Sequence, residues 1–166
     1  MTTIASDGIT VAADSCVTAN DLRVKAPETK LQREGGYLFG IAGDISMMEP
    51  MIDWYLKGAI STKHPRHCTT TTFTFLVFLP DEVQMFNQQS DYVDKYRYPY
   101  TTGTGAQLAM GAILHGATPY EAVKCACKVD VYSAEPITTH TIPPLPKQAR
   151  KTKTGRTRRA TQGPAR

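Results

Sequence analysis

Thr2-Thr3-Ile4-Ala5-Ser6-Asp7-Gly8-Ile9-Thr10-Val11-Ala12-Ala13-Asp14-Ser15 holds two short apolar-rich runs, residues 2–6 and 9–13, on either side of Asp7-Gly8. Asp-Gly between two such runs signals a β-hairpin, because both residues tolerate the positive φ of a tight turn. The chain thus opens on a hairpin with two threonines at its start and a carboxylate, Asp14, at its end. Outward from it, residues 22–32 alternate weakly and predict one or two strands. Residues 37–42 predict a buried strand that stops at Gly43. A helix is expected over 46–59, with Ser46 and Glu49 as a capping box and Met47, Met51, Trp54, Tyr55 and Leu56 as its apolar side. The run 71–79 is the strongest strand signal, and Pro80-Asp81 turns it into a second strand over 83–88. A strand near 98–102 leads through Thr102-Gly103-Thr104-Gly105 into a helix over 105–116. Thr118, Pro119 and Glu121 open a further helix that runs to about 129. A strand over 136–141 closes the series. Two helical layers around stacked sheets would cover every apolar face.

The 166 residues suit one domain with a real core, and no apolar run approaches the roughly 18 residues of a spanning helix. The opening residues carry neither a basic region nor an apolar signal core, so a cytoplasmic location is expected. The four cysteines, Cys16, Cys68, Cys125 and Cys127, show no CxxC spacing. The tract His64-Pro65-Arg66-His67-Cys68 is short and proline-interrupted, and reads as a polar loop rather than a metal site. The net charge of +4 divides unevenly: residues 145–166 hold eight of the 19 Lys and Arg and no acid, which leaves −4 on residues 1–144. Ile142-Pro143-Pro144-Leu145-Pro146 marks the boundary between a domain over 1–142 and a basic tail over 143–166 that has nothing to bury and is expected to be disordered.

Chemistry-bearing candidates come next. Cleavage of the Met1–Thr2 bond would give one residue both a hydroxyl nucleophile and an α-amine of pKa about 7.7–8.0, suited to general-base work at neutral pH. Taken singly, Thr2 also reads as the start of a strand, Asp14 as a turn residue and Lys30 as an exposed strand lysine. Asp130 is more telling. It follows the 118–129 helix, where the negative end of the helix dipole disfavours a carboxylate by about 0.3–1 kcal/mol; a compensating donor or cation beside it is one explanation, and a solvated loop position is the other.

The order of Thr2-Thr3-Ile4, Val11-Ala12-Ala13-Asp14-Ser15, Lys30, Phe39-Gly40-Ile41-Ala42-Gly43, Thr102-Gly103-Thr104-Gly105 and Asp130-Val131-Tyr132-Ser133 resembles the proteasome β-subunit family, which includes HslV. The resemblance covers residues 2–141. It implies an α+β chain with the four-layer αββα sandwich of N-terminal-nucleophile (Ntn) hydrolases. It also implies a threonine peptidase without metal or organic cofactor, acting on polypeptides in a homo-oligomeric ring served by an ATPase unfoldase. By the same resemblance Thr2 is the nucleophile, Lys30 its charged neighbour and Asp14 the holder of Lys30. Gly43 supplies an oxyanion N–H, and Thr104, Asp130 and Ser133 order the threonine amine. Val17, Ile41 and Glu28 map to the first specificity pocket. The two valine and isoleucine walls suggest apolar side chains and Glu28 a basic one, a choice the sequence leaves open.

The chain departs from the family in several places. Its first hairpin is shorter by about four residues, an even number that keeps every side chain on its face. Cys16 stands where arginine is frequent, Asp44 where a second glycine is frequent, and Thr104 where serine is usual. Segment 61–70 is too short for a second helix found in many members, and only Met1 precedes Thr2. The basic tail has no counterpart; it reads either as a ligand for nucleic acid or an acidic protein, or as a solubilising extension. Two alternatives to the peptidase remain open at this point: a non-catalytic assembly protein on the same fold, and an amidase for small substrates.

Overall fold

The computed structural model describes residues 2–19, 22–24, 29–58, 65, 72–88 and 93–146. Glu28, the 61–70 segment with the histidine tract except Pro65, and residues 147–166 lie outside the described residues. The opening hairpin forms as expected: β1 (Thr3–Ser6) and β2 (Thr10–Asp14) pair antiparallel, Ile4 opposite Ala13. Asp7 shapes the turn by accepting from the N–H groups of Ile9 and Thr10 at 2.8 Å each. Next come β3 (Val17–Ala19), β4 (Leu22–Val24), β5 (Leu31–Glu34) and β6 (Tyr37–Gly43), then α1 (Met48–Leu56), β7 (Phe73–Phe78) and β8 (Val83–Asn87). The described chain closes with β9 (Asp94–Tyr96), β10 (Tyr100–Gly103), α2 (Ala106–Leu114), α3 (Pro119–Val129) and β11 (Ile137–Thr141).

Two antiparallel sheets carry the fold, one in the order β10-β1-β2-β11 and one in the order β5-β6-β7-β8-β9. Strand alternation sorts the side chains into three cores. On β6 and β7, Phe39, Ile41, Phe73, Phe75 and Val77 face outward under α1, where Met47, Met48, Met51 and Ile52 cover them. Leu38, Leu76 and Phe78 face the other way and meet Ile4, Val11 and Ala13 between the sheets. On the far side of the first sheet, Ala5 and Ala12 pack against Ala109 of α2 and Ala122 and Val123 of α3. The layers are therefore helix, sheet, sheet, helix pair: the four-layer αββα sandwich. Gly40 leaves room for side chains of its own sheet to fill the core between the sheets, since a Cβ there would lie 2.9 Å from the Phe78 ring and 3.3 Å from the Leu31 side chain.

Several expectations needed correction. Ser46 does not cap α1. Asp44 accepts from the Ser46 N–H and starts a short 3-10 turn over Ile45–Met47, and α1 begins only at Met48. The Asp44 side chain takes the Ser46 N–H, the donor that Glu49 would accept in a Ser46 capping box. Met48 and Ile52 are buried on α1, while Leu56 is part-exposed at its end. Strands β3 and β9 lie in stretches too short and polar to show a period, and exist because β4 and β8 offer them edges. The helix over 118–129 matches its expected form: Thr118 and Glu121 make the capping box, with Pro119 at the first position.

Candidate active site

The site lies where the ends of both sheets meet. Because strand side chains alternate, Thr2 shares the inter-sheet side with Ile4, and Thr3 shares the helix side with Ala5. The Thr2 carbonyl accepts from Thr104 N–H at 2.9 Å. That grip needs Gly103, whose φ is +95° and whose Cβ would collide with the Thr2 carbonyl oxygen.

Asp14, at the end of β2, is almost wholly buried and accepts four hydrogen bonds. Its Oδ1 takes Thr3 N–H at 2.7 Å and Lys30 Nζ at 2.9 Å; its Oδ2 takes Cys16 N–H at 2.9 Å and Ala134 N–H at 3.3 Å. Lys30, just before β5, is 5% exposed. Burial lowers its pKa below 10.5, against the opposing pull of the Asp14 charge and hydrogen bond. Lys30 and Asp14 thus form a buried ion pair.

Thr2, Lys30 and Gly43 line one pocket of about 60 Å³ with Cys16, Val17, Thr18, Ile41 and Ile45. Val17 and Ile41 are thus in its wall. A second, wider pocket of about 350 Å³ adjoins Thr2 on the side of Gly43, Thr72, Thr74, Thr102 and Thr104. Gly43 borders both. Ile41 N–H donates to Lys30 O, so the Gly43 N–H, two residues on, aims to the same edge of β6, beyond the end of β5. The φ of Gly43 is +92°, and a Cβ there would sit 2.2 Å from Thr72 O, so the turn after β6 requires glycine.

A second carboxylate stands on the helix side. Asp130, the C-cap of α3, accepts from Thr104 Oγ1 and Ser133 Oγ at 2.6 Å each and from Tyr132 N–H at 3.2 Å. Burial pushes its pKa up, but these donors outweigh it and hold the carboxyl below the ordinary 3.8. Compensating donors are thus present at the end of the helix: two hydroxyls and an N–H. Burial also raises the Cys127 thiol to about 11, with the nearby Asp14 charge adding to the effect.

The structure brings Thr2, Asp14, Lys30 and Gly43 together, and joins Thr104, Asp130 and Ser133 in a second cluster anchored to the Thr2 carbonyl. Two neighbours were not singled out in the sequence. Thr3 lies between the clusters, and Gly105 donates its N–H to Thr3 Oγ1 at 3.0 Å. Strand alternation after Thr2 was the available signal for Thr3. Among the described residues no group of His, Cys, Asp and Glu could hold a metal ion, and no helix is long and apolar enough to cross a membrane.

No protein-family sequence model matches the chain, and no curated protein matches it in sequence. Solved structures do match. HslV from Trypanosoma brucei superposes with a TM-score of 0.64 at 20% identity, over 86% of this chain and 98% of that one. Thiobacillus denitrificans BPH in complex with epoxomicin gives 0.63 at 16% identity, over 87% and 99%. A further BPH structure gives 0.62 at 18%, over 87% and 98%. With nearly the full length of these proteins matched, the chain has the HslV and proteasome β-subunit-like fold of the Ntn hydrolases.

Proposed function

We propose that this protein is a threonine peptidase that uses Thr2 as its nucleophile once the Met1–Thr2 bond is cleaved. The observation that carries the reading is the shared pocket of Thr2, Lys30 and Gly43, with Asp14 bonded to Lys30 behind it. In this reading the Lys30 charge favours the Thr2 alkoxide, and the freed α-amine takes the hydroxyl proton, directly or through a water. Oγ attacks the peptide carbonyl while the Gly43 N–H holds the oxyanion, a contribution of about 2.7–4 kcal/mol for one such donor. The amine returns its proton to the leaving nitrogen and an ester remains on Thr2. Water, deprotonated by the same amine, then cleaves the ester. Thr104, Asp130 and Ser133 orient the amine through its ammonium form. The pocket with Val17 and Ile41 in its wall receives the side chain on the acyl side, and Glu28 is assigned to its surroundings.

A polypeptide substrate, a homo-oligomeric ring, an ATPase partner and a cytoplasmic location belong to the same proposal. The ring draws support from α2, an outer helix without a charged residue that leaves Leu108 and Leu114 on the surface. The basic tail, residues 143–166, is proposed as a separate electrostatic ligand for nucleic acid or an acidic protein.

The test begins with intact mass and N-terminal sequencing, which report whether Thr2 is free. Processed wild type and Thr2→Ala are then compared on a panel of fluorogenic peptides and with epoxomicin, the ligand of one structural neighbour. Hydrolysis and a covalent epoxomicin adduct on Thr2 in wild type alone are the expected result. Equal hydrolysis by both proteins overturns the assignment.

A further inference from the structure

Thr3 is fully buried and ties two separate acid centres together. Its N–H donates to Asp14 Oδ1 at 2.7 Å, on the side of Lys30. Its hydroxyl lies 2.6 Å from Ser133 Oγ, on the side of Asp130. A hydroxyl has one proton to give, and that fixes the direction of this chain of bonds. The ionised Asp130 carboxylate is an acceptor only, so Ser133 donates to it. Ser133 has then no proton left for Thr3, so Thr3 donates to Ser133. Thr3 Oγ1 in turn accepts from Gly105 N–H at 3.0 Å. The order is Gly105 N–H to Thr3 O–H, Thr3 to Ser133, Ser133 to the Asp130 carboxylate, which Thr104 O–H also meets.

The space around this hydroxyl is made to measure. A Cβ on Gly105 would lie 2.3 Å from Thr3 Oγ1 and 3.3 Å from Asp130 Oδ2, so only glycine lets α2 begin this close to the Thr3 hydroxyl. The Thr3 hydroxyl and the Thr2 side chain lie on opposite sides of one strand, so Thr3 does not reach the wide pocket or the narrow one; neither counts it in its lining.

We infer that Thr3 is a positioning residue: its side-chain hydroxyl sets Ser133 and Asp130 in place for the Thr2 amine, while its main-chain N–H sets Asp14 in place for Lys30. The inference rests on the Thr2 reading above and goes beyond it, because it adds a residue that touches neither substrate nor nucleophilic oxygen. Removing the hydroxyl takes away the acceptor of the Gly105 N–H and the donor that orients Ser133, and so loosens the Ser133 bond to Asp130. The ammonium form of the Thr2 amine then loses part of its stabilisation, so the apparent pKa of the amine falls and its aim is lost.

The experiment compares processed wild type, Thr3→Val, Thr3→Ser and Thr2→Ala in two measurements. The first is kcat and KM against pH on a fluorogenic peptide, with the fraction of active sites counted by epoxomicin. The second, independent of turnover, is the pH dependence of Thr2 amine acylation by trace acetic anhydride, read by peptide mass spectrometry. Thr3→Val should lose about tenfold or more in kcat per active site, with KM little changed. Its amine should titrate at lower pH in both measurements, and Thr3→Ser should restore both. A Thr3→Val protein with wild-type amine titration overturns the inference, and so does a loss that is equal at every pH and explained by fewer active sites. Hydrolysis by Thr2→Ala overturns the peptidase reading instead. If wild type cleaves no peptide, that reading falls while the acylation curve still decides whether Thr3 sets the amine.

Discussion

Asp14 shows how one side chain can be held by more than its charge partner. Of its four donors, Lys30 is the single cation, and three main-chain N–H groups remain when Lys30 is removed. Lys30→Met should therefore cost less stability than the about 3–5 kcal/mol expected when a buried pair loses one member. Asp14→Ala, which removes the carboxylate that takes a buried ammonium and three N–H groups, should cost that much or more. Urea unfolding of the two variants at pH 7 checks the order, and both should be inactive on peptides. Asp130 gives a pH signature. Its folded pKa is depressed, so its stabilisation is complete above the ordinary 3.8 and fades as pH falls through the folded value. Asp130→Asn should lower stability by about 1–2 kcal/mol at pH 7, and the gap to wild type should close in acid. A gap independent of pH would show that the carboxylate is not what the hydroxyls stabilise.

At the scale of elements, the Thr118–Glu121 box carries the start of α3. Thr118 Oγ1 accepts from Glu121 N–H, and the Glu121 carboxylate returns to Thr118 N–H at 2.9 Å. Because Ala122, Val123 and Ala126 of α3 are fully buried against the first sheet, fraying of this turn loosens the layer beneath Asp130. Thr118→Ala should cost about 1 kcal/mol. Thermal unfolding checks it, and Thr118→Asn should recover most of the loss. The turn after β6 is stricter. Gly43→Ala would force a left-handed backbone on a side chain and drive its Cβ into Thr72 O. A marked loss of stability together with loss of activity is expected there, unlike the milder Thr118 effect.

At the scale of the whole molecule, the sandwich leaves two surfaces to explain. The outer face of α2 lies in an uncharged stretch from residue 98 to 120. A Cβ on Gly111, in the middle of that helix, would meet nothing within 4 Å, so no packing among the described residues accounts for the glycine. Sedimentation at micromolar concentration should show an assembly larger than 18.3 kDa, and Leu114→Glu should shift it toward the single chain. A wild-type species at the mass of one chain would rule out the ring. Removal of residues 147–166 should leave peptide hydrolysis and Tm unchanged. It should abolish DNA binding that is independent of sequence and steeply weakened by salt. Binding that survives truncation or ignores salt would rule out the tail as its anchor.

The sequence by itself determined the layers. Apolar-rich runs at 2–6, 9–13, 37–42 and 71–79, the Asp7-Gly8 turn and the Thr118 cap act locally, through backbone preference and side-chain character, and need no distant partner to be legible. It also marked Asp130, because a carboxylate after a helix calls for donors wherever the fold finds them. The tertiary structure alone decided which donors those are. It brings Ser133, Thr104 and Thr3 to one place from three different parts of the chain, at separations of up to 130 residues. It decided as well that Lys30 is buried and that Asp44, not Ser46, caps the turn before α1. The short strands β3 and β9 likewise depend on neighbours. Burial and hydrogen-bond partnership are properties of contacts remote in sequence, whereas propensity and period are properties of a window of a few residues.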